Sequence, residues 1–398
     1  MLSKIQSKLQ APITISPAFK EFTDNEKSAG VFLMICSIVA LILANSPLSD
    51  AYFGWWKTYL GPLNLGHWIN DGLMAIFFLL IGLELKREVY VGELSDLKNA
   101  TLPIVAALGG IAVPALIHFA FNKGLPTQSG FAIPMATDIA FVLSVLALVG
   151  NRVPISLKIF LTAVAVIDDL CAIIVIALFY TADLNLMYLA AAGGTAVLLV
   201  VINRLRVMSL IPYLLLGAVM WFFMLESGIH ATIAGVVLAF AFPFRSTIEG
   251  REPPMARLEH ALHKPVAFAI LPIFAFANAG IAIGGGAVEG LLSPNGLGIM
   301  LGLLAGKIVG VCLLSFLAVK AGLCSLPGAV RWKHVLGAGW LTGIGFTMSI
   351  FITNLAFENN DALINVSKMA ILLASFAAGL IGYFWLLAVC QTPEEQVA

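Results

Sequence analysis

The stretch Ala165-Val-Ile-Asp168-Asp169-Leu indicates what class of fold this chain adopts. Its two aspartates are neighbours near the middle of an otherwise apolar run, Ile155–Tyr180, and a helix that crosses a bilayer needs about 20 apolar residues. An ionised carboxylate at the centre of such a helix costs roughly 2.5–3.5 kcal/mol on insertion scales. The nearest basic residue in the run is Lys158, so packing alone does not explain the pair. The pair therefore predicts a membrane protein that handles protons or cations.

The overall composition supports a membrane protein. Of the 398 residues, 60% are hydrophobic and 11% are charged, and the mean hydropathy is +0.98. Soluble domains contain about 25% charged residues, so a large soluble core is a poor explanation. The formal net charge is +0, which gives no reason to expect a nucleic acid partner, and we expect none.

Twelve hydrophobic runs are candidate membrane spans. The first six are Ser28–Asn45, Trp68–Val91, Thr101–Phe121, Phe131–Val149, Ile155–Tyr180 and Leu186–Ile202. The last six are Leu210–Leu225, Ile229–Phe244, Leu262–Ile283, Leu297–Lys320, His334–Phe357 and Val366–Leu387. Because no soluble domain interrupts them, we predict an all-α polytopic membrane protein, with twelve transmembrane helices in one domain over residues 1–398. Outside the spans lie an N-terminal arm, 1–27, a connection with a short hairpin, 46–67, and a tail, 388–398.

Basic residues are concentrated on alternate connections between these spans. One set of connections, with the adjoining span ends, carries Lys4, Lys8, Lys20, Lys27, Lys86, Arg87, Lys98, Arg152, Lys158, Arg204, Arg206, Arg245, Arg251, Arg257, Lys264, Lys320, Arg331 and Lys333. The opposite set carries Lys57, Lys123 and Lys368. By the positive-inside rule the rich side is cytoplasmic, so we predict that both termini are inside.

Neither a removable signal peptide nor a disulfide framework is expected. The first 27 residues are charged and mixed, without a short apolar core and a small-residue cleavage site. The five cysteines are scattered and include no CxxC pair, which also argues against a zinc site.

Two further spans contain polar residues together with residues that interrupt helices. The fourth span contains Pro134, followed by Thr137 and Asp138, and a proline inside a helix kinks or breaks it. The eleventh span contains Gly343 and Gly345 among several hydroxyl side chains, which favours irregular backbone. Irregular backbone at membrane depth persists only where it is buried in protein or lines water.

These two spans occupy equivalent places in two triplets of opposite direction. Spans three to five begin inside and end outside, spans ten to twelve do the reverse, and each triplet is interrupted in its middle helix. This arrangement is typical of inverted-topology repeats whose broken helices meet at a midplane ion site. At such a crossing, Asp138 is suited to neutralise the amide ends of helices and Lys307 the carbonyl ends.

Several polar residues have an ordinary interpretation beside the functional one. Asp138 serves either helix-dipole compensation or ion coordination, and the Thr137 hydroxyl either supports the site or bonds back to its own helix. His230 is more simply a structural histidine, and Asn278 is expected to bond across helices. His260 and His263 are three residues apart, which alone is a weak indication of a metal site.

Motifs from the first span to the last resemble those of the NhaA family of sodium/proton antiporters. The matching residues are Asn70-Asp71-Gly-Leu-Met-Ala-Ile-Phe-Phe, Gly82-Leu-Glu84-Leu-Lys86-Arg87-Glu88, Ala136-Thr137-Asp138-Ile-Ala-Phe, Ala165-Val-Ile-Asp168-Asp169-Leu, Gly228-Ile-His230-Ala-Thr, Arg257-Leu-Glu259-His260, Phe274-Ala-Phe-Ala-Asn278-Ala-Gly280, Gly306-Lys307 and Gly343-Ile-Gly345-Phe-Thr-Met-Ser-Ile-Phe. The paired-aspartate motif is the most specific of these.

The resemblance implies a fold and a transport activity. It implies inverted repeats at spans three to five and ten to twelve, with spans four and eleven broken where they cross. It also implies electrogenic exchange of cytoplasmic Na⁺ or Li⁺ for external H⁺, which regulates intracellular pH and sodium. The protein would be a homodimer in the bacterial inner membrane, joined through residues 46–67, and would need no cofactor.

The resemblance also assigns roles to residues. Asp169 is the main ligand of the transported cation, and Asp168 shares the site and pairs with Lys307. Thr137 and Asp138 support the site at the crossing. The region linked to pH regulation contains Glu84, Arg87, Glu88, Glu259, His260 and His263.

Independently of the family, a carboxylate accepts either a proton or an alkali cation. Competition at one site, with access alternating between the two membrane faces, therefore produces obligatory exchange.

An intramembrane aspartyl protease is a rival function, but it needs carboxylates from two facing helices, and neighbours in one helix diverge by about 100°. Asp138 and Asp168 lie in different spans and could form such a pair, so a peptide-cleavage assay would distinguish a protease from a transporter. A passive cation channel predicts sodium current without proton counterflow, and a proton-coupled symporter for an organic solute needs a larger polar pocket. We therefore expect a transporter and not an enzyme.

Overall fold

The computed structural model describes residues 17–181, 184–245, 252–284, 287–358 and 360–390, with the backbone alone for residues 17–27 and 287. Some predicted features lie outside the described residues: Lys4, Lys8, Arg251, residues 1–16 of the arm and residues 391–398 of the tail.

The described residues fold almost entirely into helices, numbered here in chain order. The first eight are α1 (Pro17–Ala44), α2 (Ser49–Trp56), α3 (Leu65–Tyr90), α4 (Leu97–Asn122), α5 (Ile139–Val149), α6 (Ile155–Phe179), α7 (Leu186–Arg204) and α8 (Leu210–Glu226). The others are α9 (Ile233–Ala241), α10 (Pro254–Asn278), α11 (Ala287–Leu291), α12 (Pro294–Lys320), α13 (Trp332–Thr342), α14 (Phe346–Ala356) and α15 (Asp361–Val389). A 3₁₀ helix, Pro126–Met135, precedes α5, and the two short strands are β1 (Tyr59–Leu60) and β2 (Leu63–Asn64).

Many of these helices are long and apolar enough to cross a membrane. In the described part of the chain eight helical segments meet that requirement, and the number rises to ten if the bent pairs α1–α2 and α13–α14 each count as one span. The structure thus confirms an all-α polytopic membrane protein. The predicted number of twelve is not established by helix length, because α8 has 17 residues and α9 has nine.

The ninth predicted span begins earlier than its hydrophobicity indicates. We predicted Leu262–Ile283, but α10 runs from Pro254 to Asn278. Proline is well tolerated in the first turn of a helix, so the helix starts on Pro254 and carries charged residues before its apolar part. Glu259 and His260 therefore lie on a helix and not in a connecting loop.

The connection after α1 contains both a helix and a hairpin. The aromatic residues that we expected in a hairpin lie on α2, and the hairpin follows as β1 and β2. Gly61 turns the hairpin with a φ of +70°, a conformation that side chains with a Cβ rarely adopt. The Tyr52 hydroxyl donates a 2.5 Å hydrogen bond to the carbonyl oxygen of Phe276, which ties α2 to α10.

Glycines allow α4 and α12 to pack with their backbones in contact. A Cβ atom placed on Gly310 would lie 2.0 Å from the carbonyl oxygen of Gly109, and one on Gly306 would lie 2.9 Å from the Cα of Pro114. Gly302, Gly306 and Gly310 thus form the small-residue stripe that lets α12 approach α4.

Replacement of Gly310 by Ala is expected to lower the stability of the protein by about 1–3 kcal/mol, because the two backbones must separate to admit the methyl group. Thermal unfolding in detergent measures this loss. Gly193→Ala on α7 is the matched control, since no heavy atom lies within 4 Å of its Cβ position. Equal unfolding temperatures for the two variants would contradict the close packing.

Candidate functional site

The two interrupted segments meet in the interior of the protein. After the 3₁₀ helix, Ala136 and Asp138 are extended, with ψ angles of 147° and 96°, and α5 begins at Ile139. The axes of α13 and α14 differ by 44° across the break between Thr342 and Phe346. The amide of Asp138 donates a 2.7 Å hydrogen bond to the carbonyl oxygen of Ile344, so the two breaks bond directly to each other.

The glycines at the second break permit close approach rather than unusual backbone angles. Gly343 and Gly345 have φ angles of −71° and −93°, which any residue adopts. A Cβ atom on Gly343 would lie 2.5 Å from the carbonyl oxygen of Leu303, and one on Gly345 would lie 2.2 Å from the hydroxyl of Ser349. The backbone is irregular here, as expected, but glycine is needed because neighbouring atoms leave no room for a Cβ atom, and not because of its φ angle.

Asp138 bridges the first turns of two helices. Its Oδ1 accepts a 3.1 Å hydrogen bond from the amide of Phe141 at the start of α5. Its Oδ2 accepts hydrogen bonds from the amide and the hydroxyl of Thr347 in α14, at 3.0 and 2.5 Å. A carboxylate is favourable beside amide ends. Of the two interpretations given above for Asp138, the geometry favours helix-dipole compensation.

Asp168 lies in a buried cluster with Lys307 and Thr137. The Lys307 ammonium donates to Asp168 Oδ2 at 2.7 Å and to the Thr137 hydroxyl at 3.0 Å. That hydroxyl lies 2.6 Å from Asp168 Oδ2 and 3.0 Å from the carbonyl oxygen of Thr342, and its one proton serves one of these acceptors. Asp168 is 1% exposed and Lys307 is 0% exposed. The cluster therefore joins α6, α12 and both interrupted segments.

The geometry selects among the interpretations given above for Lys307 and Thr137. Lys307 makes the pairing with Asp168 that the resemblance implies, and the contacts of its ammonium are with the side chains of Asp168 and Thr137 rather than with the carbonyl ends that we expected from its position. Thr137 bonds to residues of other helices, and not back to its own helix. The break at 136–138 thus brings Thr137 into contact with α6 and α12.

Asp169 is buried without the partners that its neighbour has. It is 0% exposed, and within the described residues neither of its carboxylate oxygens has a hydrogen-bond partner. The same is true of Oδ1 of Asp168. Leaving a buried carboxylate uncompensated is costly, so these oxygens are suited to hold a proton or a cation.

The residues linked above to pH regulation meet where α3 ends and α10 begins. Arg87 forms an ion pair with Glu259 and another with Glu88, at 3.2 Å. His263 Nδ1 lies 3.8 Å from Glu84 Oε1. His260 instead turns towards Glu252, at 3.9 Å, and its side chain is 63% exposed. The structure thus brings five of the six residues together and leaves His260 at the edge.

The loop after α3 adds one acidic residue that sequence reasoning missed. The amide of Glu93 donates to Glu88 Oε2 at 3.1 Å. Partial burial, and then the negative charge of Glu88, raise the pKa of the Glu93 carboxyl above its ordinary value. No motif distinguishes this residue in the sequence.

Lys86 and Ser375 also have structural roles that the sequence did not reveal. Lys86 was counted in the basic cytoplasmic set and in one family motif without a role of its own, but it is buried and donates to the carbonyl oxygens of Phe240 and Phe242, both at 2.7 Å, at the end of α9. The hydroxyl of Ser375 on α15 accepts from the amides of Gly345 and Phe346, both at 3.2 Å. Ser375 therefore holds the first turn of α14 together with Asp138.

His230 and Asn278 make the structural hydrogen bonds that we expected of them. His230 Nε2 lies 2.7 Å from the carbonyl oxygen of Tyr180, as a structural histidine would. The Asn278 amide donates to Asn70 Oδ1 at 2.9 Å and its oxygen accepts from Asn354 at 2.7 Å. Asn278 thus bonds across helices in both directions.

Comparison with known proteins supports the resemblance. The family described as Na⁺/H⁺ antiporter 1 matches residues 20–386. A protein of Dechloromonas aromatica named Na⁺/H⁺ antiporter NhaA is 60% identical over 373 residues, which cover 94% of this chain and 96% of the relative. Proteins of the same name from Cytophaga hutchinsonii and Mesorhizobium japonicum are 54% and 51% identical, each over 95% of this chain and over 97% and 96% of the relatives. The chain is therefore a member of the Na⁺/H⁺ antiporter 1 family of membrane transporters.

Proposed function

We propose that this protein exchanges cytoplasmic Na⁺ or Li⁺ for external H⁺, with both ions competing for the pair Asp168 and Asp169. The observation that carries the proposal is the carboxylate of Asp169, which is fully buried and has no hydrogen-bond partner among the described residues. A proton or a bound cation removes the cost of that burial, and both together do not fit one carboxylate.

The oxygens of the pair suit a hard cation. Both oxygens of Asp169 and Oδ1 of Asp168 are without partners in the described structure, and hard cations prefer oxygen ligands. Asp169 is then the main ligand, while Asp168 shares the cation and keeps Lys307 through its other oxygen. Thr137 and Asp138 support the site by holding the interrupted segments in place.

Electrogenic exchange needs more than one proton per sodium ion. Asp168, Asp169 and Lys307 are three buried ionisable groups in one cluster. Each of these groups can carry a proton, so the cluster can hold enough protons to release more than one when a cation enters.

The architecture supports alternating access. Helix α4, the segment 126–149 and α6 form one triplet, and α12, α13–α14 and α15 form another, each interrupted in its middle part. The close contact of α4 with α12 places the two triplets side by side. We propose that the triplets are inverted repeats within a twelve-span topology, and that rocking of one part of the protein against the other alternates the access.

A cavity lies between α1, α3, α5 and α10, and its lining includes Glu84 and His263. The lining also includes Ile139 and Ala140, which directly follow Asp138 in the chain. We propose that this cavity is the cytoplasmic entrance to the site, with both termini on that side.

The contacts around Arg87 support regulation by cytoplasmic pH. Glu84, Arg87, Glu88, Glu259 and His263 line or adjoin the mouth of the cavity. A change in their charge alters the ion pairs between α3 and α10, and so the width of the mouth.

We also propose a homodimer in the bacterial inner membrane, joined through residues 46–67. The hairpin presents Tyr59 and Leu60, which are 73% and 62% exposed. Two-stranded hairpins are marginal alone, and pairing with a second copy would cover these side chains and complete the strand edge.

The proposal predicts that apparent Na⁺ affinity depends on pH. In sealed inside-out vesicles, Na⁺ added to the cytoplasmic face should drive proton release, with a KM that rises by up to about tenfold per pH unit on acidification for each competing proton. A pH-sensitive dye inside the vesicles measures the exchange, and vesicles without the protein are the control. A KM that does not change with pH contradicts competition, and sodium current without proton counterflow indicates a channel.

A further inference from the structure

Two layers of side chains lie along α14 beyond its contact with Asp138. The inner layer is aromatic: the Phe351 ring on α14 lies 5.4 Å from that of Phe78 on α3 and 6.3 Å from that of Phe274 on α10, between ring centroids. All three side chains are fully buried. This layer joins the same three helices as the polar layer beyond it.

The polar layer is a chain of three asparagines. Asn354 on α14 donates a 2.7 Å hydrogen bond to Asn278 Oδ1 on α10, and Asn278 Nδ2 donates a 2.9 Å hydrogen bond to Asn70 Oδ1 on α3. Asn278 Nδ2 also lies 3.1 Å from the carbonyl oxygen of Phe274, which accepts only. That contact fixes which end of the amide donates, and hence the direction of the whole chain of bonds.

The position of this polar layer follows from the helices. Thr347, Phe351 and Asn354 are spaced i, i+4 and i+7 and share one face of α14, so Asn354 lies about 10 Å along the axis from Thr347. Thr347 bonds to Asp138 at the crossing. In the topology proposed above, α3 begins and α10 and α14 end at the external face. In that topology the asparagines therefore lie on the external side of the crossing.

We propose that Asn70, Asn278 and Asn354 form a latch that closes the ion pathway on its external side in this conformation. This inference rests on the proposed function. The same helix carries Thr347 and Asn354, so a movement of α14 at the site also pulls on the latch. Neutral amide hydrogen bonds suit a contact that must break in every cycle, because water replaces the lost partners when the outer side opens.

The test is the sidedness of Na⁺ affinity in Asn354→Leu. Loss of the latch shifts the population towards the outward-open state, and apparent affinity on each face scales with the fraction that is open to it. The KM measured in right-side-out vesicles should fall relative to the KM measured in inside-out vesicles. We expect the ratio of the two to change by about fivefold, which corresponds to about 1 kcal/mol.

A purely structural role produces a different result. If the asparagines only support folding, KM or kcat changes equally on both faces and the ratio stays constant, which overturns the latch. The serine side chain in Asn354→Ser is too short to reach Asn278 and adds no bulk. This variant therefore also removes the hydrogen bond, and it replaces Asn354→Leu in the test if the leucine variant assembles poorly. Asn151→Leu, in the exposed turn between α5 and α6, is the matched control and should leave the ratio unchanged.

The wild-type chain separates this inference from the function beneath it. If wild-type vesicles show no sodium-driven proton release, the proposed function fails and the latch fails with it. If the wild type exchanges the ions but Asn354→Leu and Asn354→Ser keep its KM ratio, the latch alone is overturned.

Discussion

Asp169→Asn is expected to abolish sodium-driven proton release in sealed vesicles. The asparagine side chain has nearly the same shape, but it carries no charge and releases no proton. The attraction between a cation and one carboxylate about 4 Å away is about 4 kcal/mol at an effective dielectric constant of 20. Its loss corresponds to a decrease of roughly a thousandfold in cation affinity.

Two related variants show whether this effect is specific. Asp168→Asn should also lose exchange, but it leaves Lys307 without its buried counter-ion and should lower stability as well. Asp50→Asn, on the exposed surface of α2, is the control and should transport normally. Yield and unfolding temperature establish that each variant is assembled. Exchange at near wild-type rates by assembled Asp169→Asn would remove the central assignment.

The membrane fold was largely predictable because hydrophobicity and charge both act locally along the chain. Each predicted span overlaps a helix of the structure, but the ends of some helices do not follow hydrophobicity. α10 continues through Glu259 and His260 because a helix that leaves the bilayer keeps its backbone hydrogen bonds in water. Hydropathy therefore does not reveal its start at Pro254.

Interruptions in the spans were predictable in position but not in geometry. Pro134 and the two glycines locate the irregular segments, since proline removes a donor and glycine removes a Cβ. The contacts that stabilise these segments come from distant parts of the chain. Ser375, for example, is 30 positions from Gly345 and nothing in its own surroundings indicates a cap.

The difference between Asp168 and Asp169 also needed the structure. Successive residues in a helix point about 100° apart, so one member of an adjacent pair faces a partner that the other does not reach. Asp168 faces Lys307 and Thr137, whereas Asp169 has no hydrogen-bond partner in the described residues. The family resemblance implied this division, and residue types alone did not.

Lys307→Met is expected to destabilise the protein by about 3–5 kcal/mol, because it leaves the buried carboxylate of Asp168 without its counter-ion. The loss should be largest at alkaline pH and should shrink on acidification, since a protonated Asp168 needs no counter-ion. Thermal unfolding in detergent over a range of pH measures both effects. The double variant Lys307→Met with Asp168→Asn removes both charges, so it should recover most of the lost stability.

Recovery in the double variant is the decisive result, because it separates the ion pair from packing. If the methyl-ended side chain simply fits its site badly, the double variant should be as unstable as Lys307→Met, and the loss should not depend on pH. Lys57→Met, at an exposed position after α2, is the control for loss of a positive charge and should unfold like the wild type. Wild-type stability of Lys307→Met at alkaline pH would contradict the prediction, because it would mean that the variant tolerates Asp168 without a counter-ion or holds it protonated.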